Sequence, residues 1–81
     1  MNPQQIADLI QSGMPGARAI VKSDDNVHFE AVVIAAAFAG KRPVQRHQLV
    51  YATLGDKMGN EIHAMALQVF TPDEATDNDI R

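Results

Sequence analysis

Three histidines, His28, His47 and His63, are the side chains in this sequence best suited to hold a metal. An imidazole nitrogen suits iron, zinc and copper alike, so a lone histidine names none of them. The chain has no cysteine. That excludes a disulfide framework, a cysteine nucleophile, and any zinc or iron–sulfur site built from the chain's own sulfurs. Positive charge clusters once, at Lys41, Arg42 and Arg46, with no acid among them. Such a cluster can meet DNA phosphates, or an anionic partner or acidic patch. A solvated helix start is the plainer reading. Enzyme chemistry finds little here: there is no glycine-rich phosphate loop and no HExxH, and Asp24 and Asp25 sit side by side in a turn. The sequence predicts a protein that is not an enzyme.

The elements that must position these residues belong to one domain, since 81 residues support no more. We take it as residues 1–81, with 75–81 a short acidic tail. An apolar share of 46% argues against disorder. Within residues 1–70, Asp8, Asp24, Asp25, Glu30, Asp56 and Glu61 balance Arg18, Lys22, Lys41, Arg42, Arg46 and Lys57. The formal charge of -3 therefore arises in the tail. A neutral body is a poor general nucleic-acid binder. No stretch reads as a membrane span or signal peptide, which predicts a cytoplasmic protein.

Along the chain, Asn2 and Pro3 predict a helix start, with Ile6, Leu9 and Ile10 on its inner face and Gly13 as its stop. Residues 14–17 form a turn and 17–22 a strand. Residues 23–26 are a hairpin connection, and a β-branched strand returns over about 27–35. The run Ala35–Gly40 predicts a short helix closed by Gly40. A longer helix then runs from Pro43 to Met58, placing His47, Val50, Tyr51, Leu54 and Met58 in one arc of roughly 100° and Arg46 and Lys57 on the outer side. His47, amid that arc, reads as a structural histidine satisfied by one hydrogen bond, with Tyr51 beside it. Residues 61–70 predict the last strand, with Ile62, Ala64, Ala66 and Phe70 facing one way and His63, Met65, Leu67 and Val69 the other. Thr71–Glu74 is a capping box that opens a short helix.

The order is helix, strand, strand, short helix, helix, strand, short helix. A hairpin makes the first two strands antiparallel, and the helical crossover returns the third parallel to the second. This predicts an α+β fold with a three-stranded mixed sheet. Parallel pairing would put the starts of the second and third strands at one edge, about 4.8 Å apart. His28 and His63 would then face the same point. His28 reads equally as a capping or turn-facing residue, and His63 as a half-buried strand residue.

The run Phe38-Ala39-Gly40-Lys41-Arg42-Pro43-Val44-Gln45-Arg46-His47-Gln48-Leu49-Val50-Tyr51-Ala52-Thr53-Leu54 resembles a signature of the BolA family. Ile62-His63-Ala64-Met65 with Phe70-Thr71-Pro72-Asp73-Glu74 resembles a second, and His28-Phe29 a third. The short hairpin is similar to that of the family's short-loop bacterial branch. The resemblance implies a fold like a class II KH domain and a partnership with a monothiol glutaredoxin, in a heterocomplex sharing a [2Fe–2S] cluster. The partner's cysteine and glutathione would supply sulfur, with His63 as the family's histidine ligand and His28, in a loop that lacks the relatives' second ligand, as the local candidate for another; the isolated chain, a monomer or weak homodimer, would hold no cluster. It also implies an alternative, a DNA-binding transcriptional regulator using Lys41, Arg42 and Arg46, with weak, salt-sensitive binding. Two departures stand out. The GxxG clamp of true KH domains is replaced by Gly40-Lys41-Arg42-Pro43, and Ala75 stands where the family usually carries an aromatic residue.

Overall fold

Helix α1 (Pro3–Gly13) starts where Asn2 Oδ1 accepts the Gln5 backbone N–H at 2.9 Å and Gln5 Oε1 accepts that of Asn2 at 2.9 Å. The reciprocal cap satisfies two helix-end donors. The structure, a computed structural model, describes residues 1–62 and 64–78, the side chains of 76–78 excepted. Strands β1 (Arg18–Lys22) and β2 (His28–Ile34) pair antiparallel across the hairpin. A 3₁₀ turn at Ala36–Phe38 leads through Gly40, at φ +76°, into helix α2 (Pro43–Leu54). Strand β3 (Ala64–Phe70) then pairs parallel with β2, His28 opposite Ala64 and Ile34 opposite Phe70. Helix α3 (Pro72–Asn78) follows the expected box: Thr71 N–H donates to Glu74 Oε1 at 2.9 Å, and Glu74 N–H to Thr71 Oγ1 at 3.3 Å. The last part of the segment taken as a tail, 79–81, lies outside the described residues; 75–78 are helical.

The sheet order is β1-β2-β3, so β2 is central. Alternation turns Phe29, Ala31 and Val33 of β2 inward, where they are buried. Ile6 and Ile10 of α1, Val50 and Leu54 of α2, and Phe38 between them close over that face. Ala19, Val21, Met65, Leu67 and Val69 pack at its margins. The α+β architecture with a mixed sheet is as the sequence predicts.

Two boundaries differ by three residues or more. The second helix ends at Leu54, not Met58, because Gly55 adopts φ 57° and ψ -133°, a conformation that no residue with a side chain adopts readily. A 3₁₀ turn at Gly55–Lys57 and a tight reversal follow, with Ile62 N–H donating to Lys57 O at 2.9 Å and Gly59 N–H to Ile62 O at 2.8 Å. The last strand consequently begins at Ala64, not at 61. Ile62 does not share a face with Ala64 and Ala66: it is fully buried in the core, whereas those two alanines are exposed. Freed from strand alternation, its apolar side chain turns to the nearest dry volume.

Candidate functional site

The site begins with the five residues between β1 and β2. Asn26 takes the left-handed conformation, φ 58°, which lets the chain reverse within this short connection. Ser23 staples the loop: its Oγ donates to His28 O at 2.6 Å and accepts the Asn26 N–H at 2.9 Å. Asp25 closes it from inside. One carboxylate oxygen, Oδ1, accepts the N–H groups of Val27 and His28, each at 2.9 Å. The other, Oδ2, lies 2.9 Å from His28 Nδ1. The bond to the His28 side chain, then those to the His28 and Val27 backbone, hold the Asp25 carboxyl far below the usual carboxylate range.

His28 thus heads β2 as the topology predicts, with 73% of its side chain exposed. It borders a cleft of about 540 Å³ whose other walls include Lys22, Glu30, Ala64 and Ala66. Lys22 and Glu30 face each other across the strand pair, so the cleft carries both charges. His63 lies outside the described residues; its chain neighbour Ala64 is the residue in register with His28. Among the described residues no three His, Cys, Asp or Glu side chains converge as a metal site. An imidazole on an open edge suits a metal shared with another protein, and nearby carboxylates alone would not complete a soft-metal site.

His47 is half-buried, not buried. Its ring meets that of Tyr51, also half-buried, edge-on at 6.1 Å and 87°. The arc of α2 extends past the covered core, so the helix seals only Val50 and Leu54 completely and leaves His47 at the margin.

The basic cluster divides. Lys41 and Arg42 are exposed ahead of α2. Arg46, expected on the outer side, instead lies along the core margin with only 13% of its side chain exposed. Its guanidinium donates to Glu74 Oε1 at 2.6 Å and to Oε2 at 3.3 Å. It also reaches Val69 O at 3.4 Å and Lys41 O at 3.0 Å, and its carbon sits 5.9 Å from the Phe38 ring centroid. A long side chain covers apolar surface while its head finds an acid, which a helical wheel does not register. Lys57 pairs with Glu61 at 3.2 Å. The basic segment follows the C-terminal end of β2 and His28 its N-terminal end, about 20 Å apart at some 3.3 Å per residue. Arg46 and Lys57, the two cations that would extend a basic stripe toward the hairpin, are each paired with an acid.

Sequence reading missed Asp25 as more than a turn residue and Glu74 as more than a cap. The Asp25-x-x-His28 spacing is the signal for the first; nothing local signals the pairing of Glu74 with Arg46.

The sequence profile described as BolA-like protein matches residues 6–74. The DNA-binding transcriptional regulator BolA of Haemophilus influenzae is 47% identical over 47 residues, 58% of this chain and 46% of that protein. The match spans less than half the length of such curated relatives. The structure of a BolA protein homologue from Coxiella burnetii superposes with a TM-score of 0.84 at 39% identity, covering 94% of this chain and 97% of that one. The BolA domain of SufE1 from Arabidopsis thaliana does so at 0.76 and 26% identity, covering 89% and 93%. With the profile spanning the elements from α1 to the cap of α3, and the backbone matching over nearly its whole length, the chain belongs to the BolA-like family.

Proposed function

We propose that this protein is a non-catalytic adaptor in iron–sulfur cluster assembly, trafficking or iron regulation, forming a [2Fe–2S]-bridged heterocomplex with a monothiol glutaredoxin. The observation that carries the reading is the placement of His28: exposed, at the head of β2, in register with the residue that follows His63. The chain offers imidazoles and no thiolate, which fits one half of a shared site. Histidine replaces cysteine on one iron of some [2Fe–2S] centres, so this donor type is adequate for the cargo. The partner's cysteine and its glutathione supply the sulfur. No helix among the described residues is long and apolar enough to cross a membrane.

The test is to mix the chain with a cluster-loaded monothiol glutaredoxin and record visible absorption and circular dichroism. The expected result is a spectrum that differs from the glutaredoxin's own, lost in His63→Ala and altered in His28→Ala. An unchanged spectrum at excess of this chain overturns the reading.

A DNA-binding role is the second reading, supported by the Haemophilus influenzae relative, a DNA-binding transcriptional regulator, and by exposed Lys41 and Arg42. With Arg46 turned onto Glu74, two exposed cations remain there, enough for a weak contact that salt disperses. A mobility shift measured at two salt concentrations separates the readings.

A further inference from the structure

We propose that Asp25 is the positioning residue for His28: it takes the Nδ1 proton in a hydrogen bond and thereby leaves Nε2 as the nitrogen offered to a metal. The inference rests on the adaptor reading above and names how its exposed ligand is prepared.

Asp25 Oδ1 is committed to two backbone donors, the N–H groups of Val27 and His28. Oδ2 is left to meet His28 Nδ1 at 2.9 Å. An ionised carboxylate only accepts, so the hydrogen between them belongs to the ring. A neutral imidazole carries one N–H, and with that hydrogen on Nδ1 the Nε2 lone pair is bare. No described residue bonds Nε2, and with 73% of the side chain exposed it opens toward the cleft and solvent. A carboxylate behind a histidine is the usual device for fixing ring orientation and raising the basicity of the liganding nitrogen.

The loop ties Asp25 at its backbone and side chain, Ser23 Oγ lying 3.3 Å from the Asp25 N–H nitrogen and 3.2 Å from its Oδ1. Ser23 holds both the Asn26 N–H and the His28 carbonyl, and the same Asp25 carboxylate that orients the ring caps the start of β2. Without this arrangement an exposed histidine would have to surrender its rotamer freedom at the moment of binding.

Asp25→Asn separates the two jobs of the carboxylate. The asparagine must keep its oxygen toward the two backbone N–H groups, which places its NH₂ against Nδ1. Nδ1 must then accept, and the ring proton moves to Nε2, with no change in the number of protons. Long-range ¹H–¹⁵N correlation spectra of the free, ¹⁵N-labelled chain at neutral pH read this directly. The expected result is an Nδ1–H tautomer for the unmutated chain and a shift toward Nε2–H in Asp25→Asn. Backbone amide shifts of residues 23–28 report whether the loop is retained. An unmutated chain whose His28 is mainly Nε2–H overturns the proposal whatever the variant does.

The second arm uses the cluster-loaded glutaredoxin. Asp25→Asn is expected to lose the His28-dependent part of the visible circular dichroism, as His28→Ala does. If His28→Ala alters the spectrum and Asp25→Asn does not, Asp25 is not the positioning residue and the ligand reading stands. If His28→Ala is silent, both the ligand assignment of His28 and this proposal fall.

Discussion

Replacing Gly13 by alanine tests the packing of α1 on α2, and two opposed effects decide its sign. A β-carbon at Gly13 would lie 2.7 Å from Thr53 Cγ2, 2.8 Å from Thr53 Cβ and 3.3 Å from Thr53 Cα. Carbon atoms rest about 3.5–4.0 Å apart, so the helices must separate locally by roughly 1 Å. Two of the three obstructing atoms are too close to the backbone to swing aside, and the Thr53 hydroxyl is held to Val50 O at 2.6 Å. Overpacking of this kind costs about 1–3 kcal/mol. Against it, alanine gains up to ~1 kcal/mol of helix propensity in a helix interior, and less at the last residue of α1. We expect the clash to win by about 1–2 kcal/mol, which for a chain of this size lowers the melting temperature by roughly 5–15 °C. Thermal unfolding followed by far-ultraviolet circular dichroism measures it. Repeating Gly13→Ala in a Thr53→Gly background should recover most of the loss. A Gly13→Ala protein that melts at or above the unmutated temperature refutes the argument.

Further outcomes can be checked in the same way. The Arg46 guanidinium, with the Thr71 N–H, holds the Glu74 carboxyl below its ordinary 4.5. A depressed folded-state value means stability present above that ordinary value and lost as pH falls through the folded one. Glu74→Gln should therefore flatten the decline in melting temperature below about pH 4.5, while Arg46→Lys, lacking the fork that reaches both oxygens, should speed amide exchange in α3. His47→Ala removes the edge contact with Tyr51, worth about 0.5–1.5 kcal/mol, so it should melt lower yet keep the heterocomplex spectrum, whereas His63→Ala should lose that spectrum with little change in melting. In DNA binding, Lys41→Ala and Arg42→Ala should each lower the salt slope by about one, and Arg46→Ala should not lower it; equal effects at all three would return Arg46 to the surface.

What was legible in the sequence is what is decided locally. The Asn2 cap, the Thr71–Glu74 box and the hairpin rest on side chains bonding to backbone a few residues away, and the residue types announce them. The shared edge of β2 and β3 was legible too, because a helical crossover leaves little choice of direction. The end of α2 was not: hydrophobic spacing through Met58 suits a helix as well as a turn, and the backbone of Gly55 settles it. Arg46 was misplaced because its partner Glu74 lies 28 residues away and on another element. The Asp25–His28 bond escaped notice for a subtler reason. Its spacing is visible, but the two side chains meet only because Asn26 turns the chain left-handed between them.

The central position of β2 gives it two connections of very different length. Its neighbour β1 is reached through five residues, and β3 through twenty-nine. Closing the longer connection costs about 1.6 kcal/mol more in chain entropy, before the helices inside it are counted. The hairpin is therefore expected to pair before the parallel strands do. During synthesis the hairpin also leaves the ribosome well before residues 64–70 do. A half-made or partly unfolded chain then displays His28 without the strand that should stand beside it. On the adaptor reading proposed above, a partner that grips the heads of both strands would engage only molecules in which the two are paired, so the edge would test folding as well as bind.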